Sequence, residues 1–112
     1  NAGHVMCNKY ASVDPQRYES VTRSIRLQGF VTSVRLENEF WDILETLAAE
    51  DGYSVSGFIG KLYDEVMSTQ GRVGNLTSML RVSCALYLHR QVDPTMDDTP
   101  RPTTRAVDSA FA

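Results

Sequence analysis

Read from Phe30, alternate residues divide into two kinds of surface. Phe30, Thr32, Val34 and Leu36 fall on one side, and Val31, Ser33 and Arg35 on the other. Successive side chains of a strand point to opposite faces, so residues 30–36 predict a short strand with a mostly apolar face and a polar face ending in arginine. A strand of this length is not stable alone. Its backbone N–H and C=O groups need a partner strand, and that need constrains everything the chain can fold into.

Two helical patterns follow at once. Asn38 is placed to cap the first, and Phe40, Leu44, Leu47 and Ala48 recur at three- and four-residue steps along one face. Gly52 stands where a helix end accepts a residue of positive φ. Ser54 then caps a second helix whose apolar face is Val55, Phe58, Ile59, Leu62 and Val66. Gly57 and Gly60, three apart within it, predict close backbone approach to a neighbouring helix. Residues 68–74 read as a loop with Gly71 and Gly74 as breakers. Asn75 or Thr77 caps a third helix, with Leu76, Met79, Leu80, Ser83, Leu86 and Tyr87 expected inward and Arg81 and Arg90 off that face.

Upstream, Arg23-Ser24-Ile25-Arg26-Leu27 alternates as a strand does, and Gln28-Gly29 supplies a two-residue hairpin turn. In that register Leu27 faces Phe30, Arg26 faces Val31 and Ser24 faces Ser33, which puts Arg26 beside Arg35 on the polar face. The competing reading makes residues 20–29 an extended arm crossing a partner subunit. Residues 8–20 read as an irregular arm, turned at Asp14-Pro15 and anchored by Tyr10 and Tyr18.

The order strand, helix, glycine break, helix resembles the ribbon-helix-helix family of DNA-binding proteins. The resemblance is carried by Thr32-Ser33-Val34-Arg35-Leu36, Phe40, Leu44, Leu47-Ala48, Gly52, Ser54-Val55-Ser56 and Ile59, over residues 30–67. Met6-Cys7, Asp14-Pro15, Tyr18-Glu19-Ser20, Arg23-Ser24, Phe40-Trp41, Asn75-Leu76-Thr77-Ser78 and Leu80-Arg81-Val82 further resemble a bacterial subgroup, mostly uncharacterised, that adds an N-terminal arm and a third helix. The resemblance implies a mainly α fold with a short β-ribbon: a ribbon-helix-helix homodimer with an extra C-terminal helix. It implies that the strand pairs with its copy in a second subunit, with Thr32, Val34, Leu36, Phe40 and Trp41 in the dimer core. Val31, Ser33 and Arg35 then take the base-reading positions, Val31 departing from the family's more polar triplets. Ser54, Val55 and Ser56 take the phosphate-contacting helix N-terminus, and Arg26 on the ribbon joins them. The implied partners are double-stranded DNA and a second copy of the chain. The alternative is a dimerising module whose arm, third helix or tail binds another protein.

Composition bounds these expectations. The 112 residues, 42% hydrophobic and 22% charged, suit one domain. Residues 1–5 read as a tag remnant, 6–29 as the arm or hairpin strand, 30–92 as the core with its third helix, and 93–112 as a proline-rich, disordered tail. No stretch of about 18 apolar residues is present, so the reading is a cytoplasmic protein with no membrane contact. Up to Leu36 five basic residues oppose two acidic ones; from Glu37 six oppose twelve, for a net charge of −3 overall. A positive strand segment on an acidic body orients a molecule on a polyanion. Cys7 and Cys84 are far apart and His4 and His89 isolated, so no metal site or cofactor is expected, and both cysteines read as reduced, buried or half-buried thiols. No nucleophile–base pair or phosphate-cradling glycine loop can be assembled, so no catalytic residue is assigned and the chain is not read as an enzyme.

Overall fold

The computed structural model describes residues 9–95. The tag remnant and nearly all of the tail lie outside the described residues. Strands β1 (Ser20–Leu27) and β2 (Phe30–Glu37) form a two-stranded antiparallel sheet, followed by helices α1 (Asn38–Glu50), α2 (Val55–Gln70) and α3 (Leu76–Val92).

The hairpin has the register the turn dictates: Leu27 opposite Phe30, Arg26 opposite Val31, Ser24 opposite Ser33, continuing to Ser20 opposite Glu37. Gln28 and Gly29 both have positive φ, at 40° and 87°, as the twist-matched two-residue turn requires. β2 therefore takes its partner from its own chain. The reading of residues 20–29 as an arm crossing another subunit is overturned.

One face of the hairpin forms the floor of the core. Ile25, Leu27, Val34 and Leu36 are buried against Trp41, Leu44, Ile59, Leu80 and Cys84, which come from all three helices. Each large aliphatic side chain removed from water contributes about 1.5–3 kcal/mol. Trp41 is wholly buried, and its indole Nε1 donates to the Val21 carbonyl at 2.9 Å, tying α1 to β1. Of the residues expected in a dimer core, Val34, Leu36 and Trp41 are already buried within their own chain, while Thr32 and Phe40 are half-buried.

Several local expectations need correction. β2 runs straight into α1, so the N-cap position falls on Glu37, which makes no capping bond with its side chain. Asn38 is the first helical residue, and its Nδ2 donates to the Gln16 carbonyl at 2.9 Å. That bond, with the Arg17–Glu39 pair, holds the short 3-10 turn Pro15–Tyr18 on α1. Tyr10 and Tyr18, expected as anchors, are exposed. Gly52 closes α1 with φ 77°, and Ser54 caps α2 by accepting from Gly57 N at 3.1 Å. α2 continues through Ser68 to Gln70, where a loop was expected; the Thr69 hydroxyl bonds back to the Glu65 carbonyl and is satisfied within the helix. The neighbour of Gly60 is a strand rather than a helix: a Cβ there would sit 3.6 Å from the Arg26 carbonyl. In α3, capped by Asn75, the buried residues are Leu80 and Cys84, and Leu86 is exposed.

Trp41→Ala removes the side chain that joins α1 to both strands. It should lower unfolding free energy by about 3–5 kcal/mol, read from the midpoint of urea denaturation at constant slope.

Candidate nucleic-acid interface

The second face of the hairpin points away from the helices. By alternation it carries Thr22, Ser24 and Arg26 from β1 and Val31, Ser33 and Arg35 from β2, and all six are exposed. They stand in three cross-strand rows: Thr22 with Arg35, Ser24 with Ser33, Arg26 with Val31. Val31, 57% exposed, is a large apolar side chain placed outward on a polar face. The sequence reading singled out Val31, Ser33, Arg35 and Arg26, which the structure brings together. It passed over Thr22 and Ser24 as site residues, although the same two-residue period locates them.

The arginines divide sharply. Arg17 donates twice to Glu39, at 2.7 and 2.8 Å. Arg23 belongs to the inner side, where its guanidinium lies 4.5 Å from the Trp41 ring centroid and 3.8 Å from Glu45 Oε1. It is not available on the ribbon's outer face. Arg81, expected off the packed face of α3, donates to both oxygens of Glu37 at 3.0 and 3.2 Å and lies over the Phe40 ring. Neither Arg26 nor Arg35 forms an ion pair with another described residue. The uncommitted positive charge of the ribbon therefore sits on its outer face.

Ser54, Val55 and Ser56 open α2, with Ser54 and Ser56 exposed and Val55 half-buried. The first N–H groups of a helix have no intrahelical acceptor and carry the positive end of its dipole. Ser56 lines a groove together with Arg26, Gln28 and Gly29 of the hairpin. On its other side the same helix start borders a second groove with Arg23 and Glu45. The helix start and the arginine at the hairpin tip thus face one solvent channel, whose α2 wall also carries Lys61, Asp64 and Glu65.

Two carboxylates at the base of the ribbon are held in their charged form. Hydrogen bonding from Arg81, with smaller help from a backbone N–H and the charges of Arg81 and Arg35, lowers the Glu37 pKa. Hydrogen bonding from Arg17 lowers that of Glu39. The Cys84 thiol is pushed up to about 11 by burial, which leaves it protonated and unreactive at neutral pH. Among the described residues, no group of three His, Cys, Asp or Glu side chains could hold a metal ion. No helix among them is long and apolar enough to cross a membrane.

A ribbon with a polar outer face, two helices joined at Gly52 and a serine-capped second helix are the parts of one known unit, and residues 20–88 match the family model for the ribbon-helix-helix domain. The chain belongs to the ribbon-helix-helix domain family. The matched span begins at the first residue of β1, so the whole hairpin lies within the ribbon-helix-helix domain. An uncharacterized protein from Bordetella pertussis Tohama I has a similar solved structure: TM-score 0.78 and 40% sequence identity, over 90% of this chain and 81% of that one. No curated protein matches the chain.

The lowered pKa values of Glu37 and Glu39 mean that the folded ribbon-helix-helix domain binds fewer protons than the unfolded chain through the glutamate range. Their contribution is therefore complete above the ordinary glutamate pKa and is lost as pH falls through the depressed folded values. Thermal melts should show a falling midpoint below the ordinary glutamate range. Arg81→Met should lower the midpoint at neutral pH and shrink its further drop in acid, since Glu37 then loses the largest cause of its lowered pKa.

Proposed function

We propose that the chain binds double-stranded DNA by laying the outer face of its hairpin in the major groove, and that it regulates transcription in the cytoplasm without catalysing a reaction. The observation that carries this reading is the pair of uncommitted arginines, Arg26 and Arg35, on the exposed face of a two-stranded ribbon. Such a ribbon fits a groove about 12 Å wide, where each base pair presents a distinct pattern of donors and acceptors. Arg35 is suited to the two acceptors on a guanine edge, Ser33 to a single hydrogen bond, and Val31 to a thymine methyl. Ser54, Val55 and Ser56 hold a backbone phosphate at the start of α2, with Arg26 across the groove that Ser56 lines. The acidic helical body keeps non-specific attraction low, so binding is semi-specific and modest in strength.

A second reading rests on the sheet itself. With two strands in the order β1-β2 among the described residues, one edge of β2 has no strand neighbour among them. Pairing that edge with β2 of a second copy gives a homodimer with a four-stranded sheet. As an interaction module, such a homodimer uses its N-terminal arm, third helix or tail to bind another protein and leaves the ribbon out of DNA.

Arg35→Ala should cost about 1–3 kcal/mol on a duplex selected from a random pool and much less on arbitrary duplex. Arg26→Ala should flatten the slope of log K against log salt by about 0.9. Both are read by fluorescence anisotropy across a salt series. Equal losses on both duplexes for Arg35→Ala would assign Arg35 to phosphate instead of a base.

A further inference from the structure

We propose that Arg81 of α3 is a positioning residue for DNA recognition: by holding the Glu37 carboxylate it keeps that charge off Arg35 and leaves Arg35 open to a base. This rests on the DNA-binding reading above and gives the third helix a part in it.

The alternation of β2 sets up a conflict. Val31, Ser33 and Arg35 point outward, and the next residue of that parity is Glu37, opposite Ser20 in the row beyond Thr22 and Arg35. Residues two apart on a strand are about 6.8 Å from each other, a gap that two long side chains of opposite charge can close. Left to themselves, Glu37 and Arg35 would form a surface ion pair. That pair would occupy the guanidinium donors a guanine edge takes. It would also set a carboxylate where DNA brings negative charge.

The third helix removes the conflict. Arg81 Nε donates to Glu37 Oε1 at 3.0 Å, and a second guanidinium nitrogen donates to Oε2 at 3.2 Å, so both carboxylate oxygens are taken. Arg81 is itself well placed to do this. Leu80 and Cys84 are buried in the core and fix the backbone of α3, and the Arg81 guanidinium lies 5.9 Å from the Phe40 ring centroid. A two-pronged guanidinium–carboxylate fit is stronger than a single flexible contact at the surface. The Glu37 side chain is also the least exposed of the three glutamates paired along this region, at 28% against 38% for Glu39 and 55% for Glu45.

Glu37 nevertheless feels Arg35. The charge of Arg35 favours the ionised carboxylate, more weakly than the Arg81 hydrogen bonds do. Arg17 and Arg23 are paired with Glu39 and Glu45. When Arg81 is lost, Arg35 is the cation to which Glu37 turns.

The test is a set of variants of the full chain, titrated with a duplex that the parent selects from a random pool and read by fluorescence anisotropy. Arg81→Met should weaken binding about two- to five-fold, the range set by the strength of an exposed ion pair. Glu37→Gln should bind as the parent does, and the two substitutions together should restore parental affinity. Arg81→Lys keeps the charge without the two-pronged fit; it should show a smaller loss, also restored by Glu37→Gln. Circular dichroism at the assay temperature verifies that each variant is folded. No loss on replacing Arg81, or a loss that Glu37→Gln does not restore, would overturn the inference. A second readout needs no DNA: the Glu37 pKa, followed by NMR of its carboxyl carbon. Arg35→Ala should raise it slightly in the parent and clearly more in the Arg81→Met background. Equal shifts in the two backgrounds would show that Arg81 does not hold Glu37 off Arg35. If the parent binds no duplex at low salt, the DNA reading falls and the role of Arg81 in recognition falls with it; the NMR shifts alone then decide whether the clamp on Glu37 exists.

Discussion

Antiparallel pairing of β1 with β2 is the constraint on which the other contacts depend. The Gln28–Gly29 turn brings Ile25 and Leu27 alongside Val34 and Leu36, and only the two strands together make an apolar floor broad enough for three helices. Trp41 then bonds to β1 from a helix that grows out of β2, so α1 locks the two strands together. α2 comes close to β1 at Gly60, where hydrogen in place of a side chain leaves room beside the Arg26 carbonyl. Were β1 removed, Trp41 would lose its acceptor, α2 its backing strand, and β2 its ladder. The pairing also decides which side chains face outward, so the fold and the candidate interface have one origin.

The way the arginines are used links that architecture to its surface. Arg17, Arg23 and Arg81 are each drawn to a glutamate on or beside α1: Glu39, Glu45 and Glu37. Exposed pairs of this kind contribute little stability each. Their larger effect is to orient segments, because Arg17 pins the N-terminal turn and Arg81 ties α3 to the junction of β2 and α1. The result is a body that neutralises its own charge near the core and leaves Arg26 and Arg35 free on the outer face.

Much of this was legible in the sequence because two strong local signals agreed. The two-residue period on both sides of Gln28-Gly29 fixes the register, and Gly52, Ser54 and Asn75 mark their helix ends through known chemistry. α3 was harder to read. Its apolar residues include Leu76, Leu80, Val82, Cys84, Leu86 and Leu88, which run around the helix rather than along one stripe, so which of them would be buried could not be told from spacing. Leu86, expected inward, is exposed, and Cys84 is buried with Leu80. Asn38 has the side chain of a cap, but β2 runs on through Glu37 and Asn38 is already the first helical residue. The dimer-core expectation for Trp41 and its neighbours comes from the family resemblance, and their spacing alone does not tell burial within one chain from burial between two. Arg23 shows how much one alternation carries: its parity places it beside Ile25 on the inner side, where it stacks on Trp41.

The central claim is that one chain supplies both strands of the ribbon, and a cross-link tests it directly. Ser24 and Ser33 are opposite one another on the outer face, in the row between ladder hydrogen bonds where Cα atoms lie about 4.5 Å apart, within reach of a disulfide. The double substitution Ser24→Cys, Ser33→Cys is made with Cys7 replaced by serine; Cys84 is buried and stays protonated. The oxidised protein should run as a monomer on a non-reducing gel at every protein concentration, with no free thiol other than Cys84. A covalent dimer as the main product would show that β1 and β2 pair between chains, and the single-chain ribbon would be wrong.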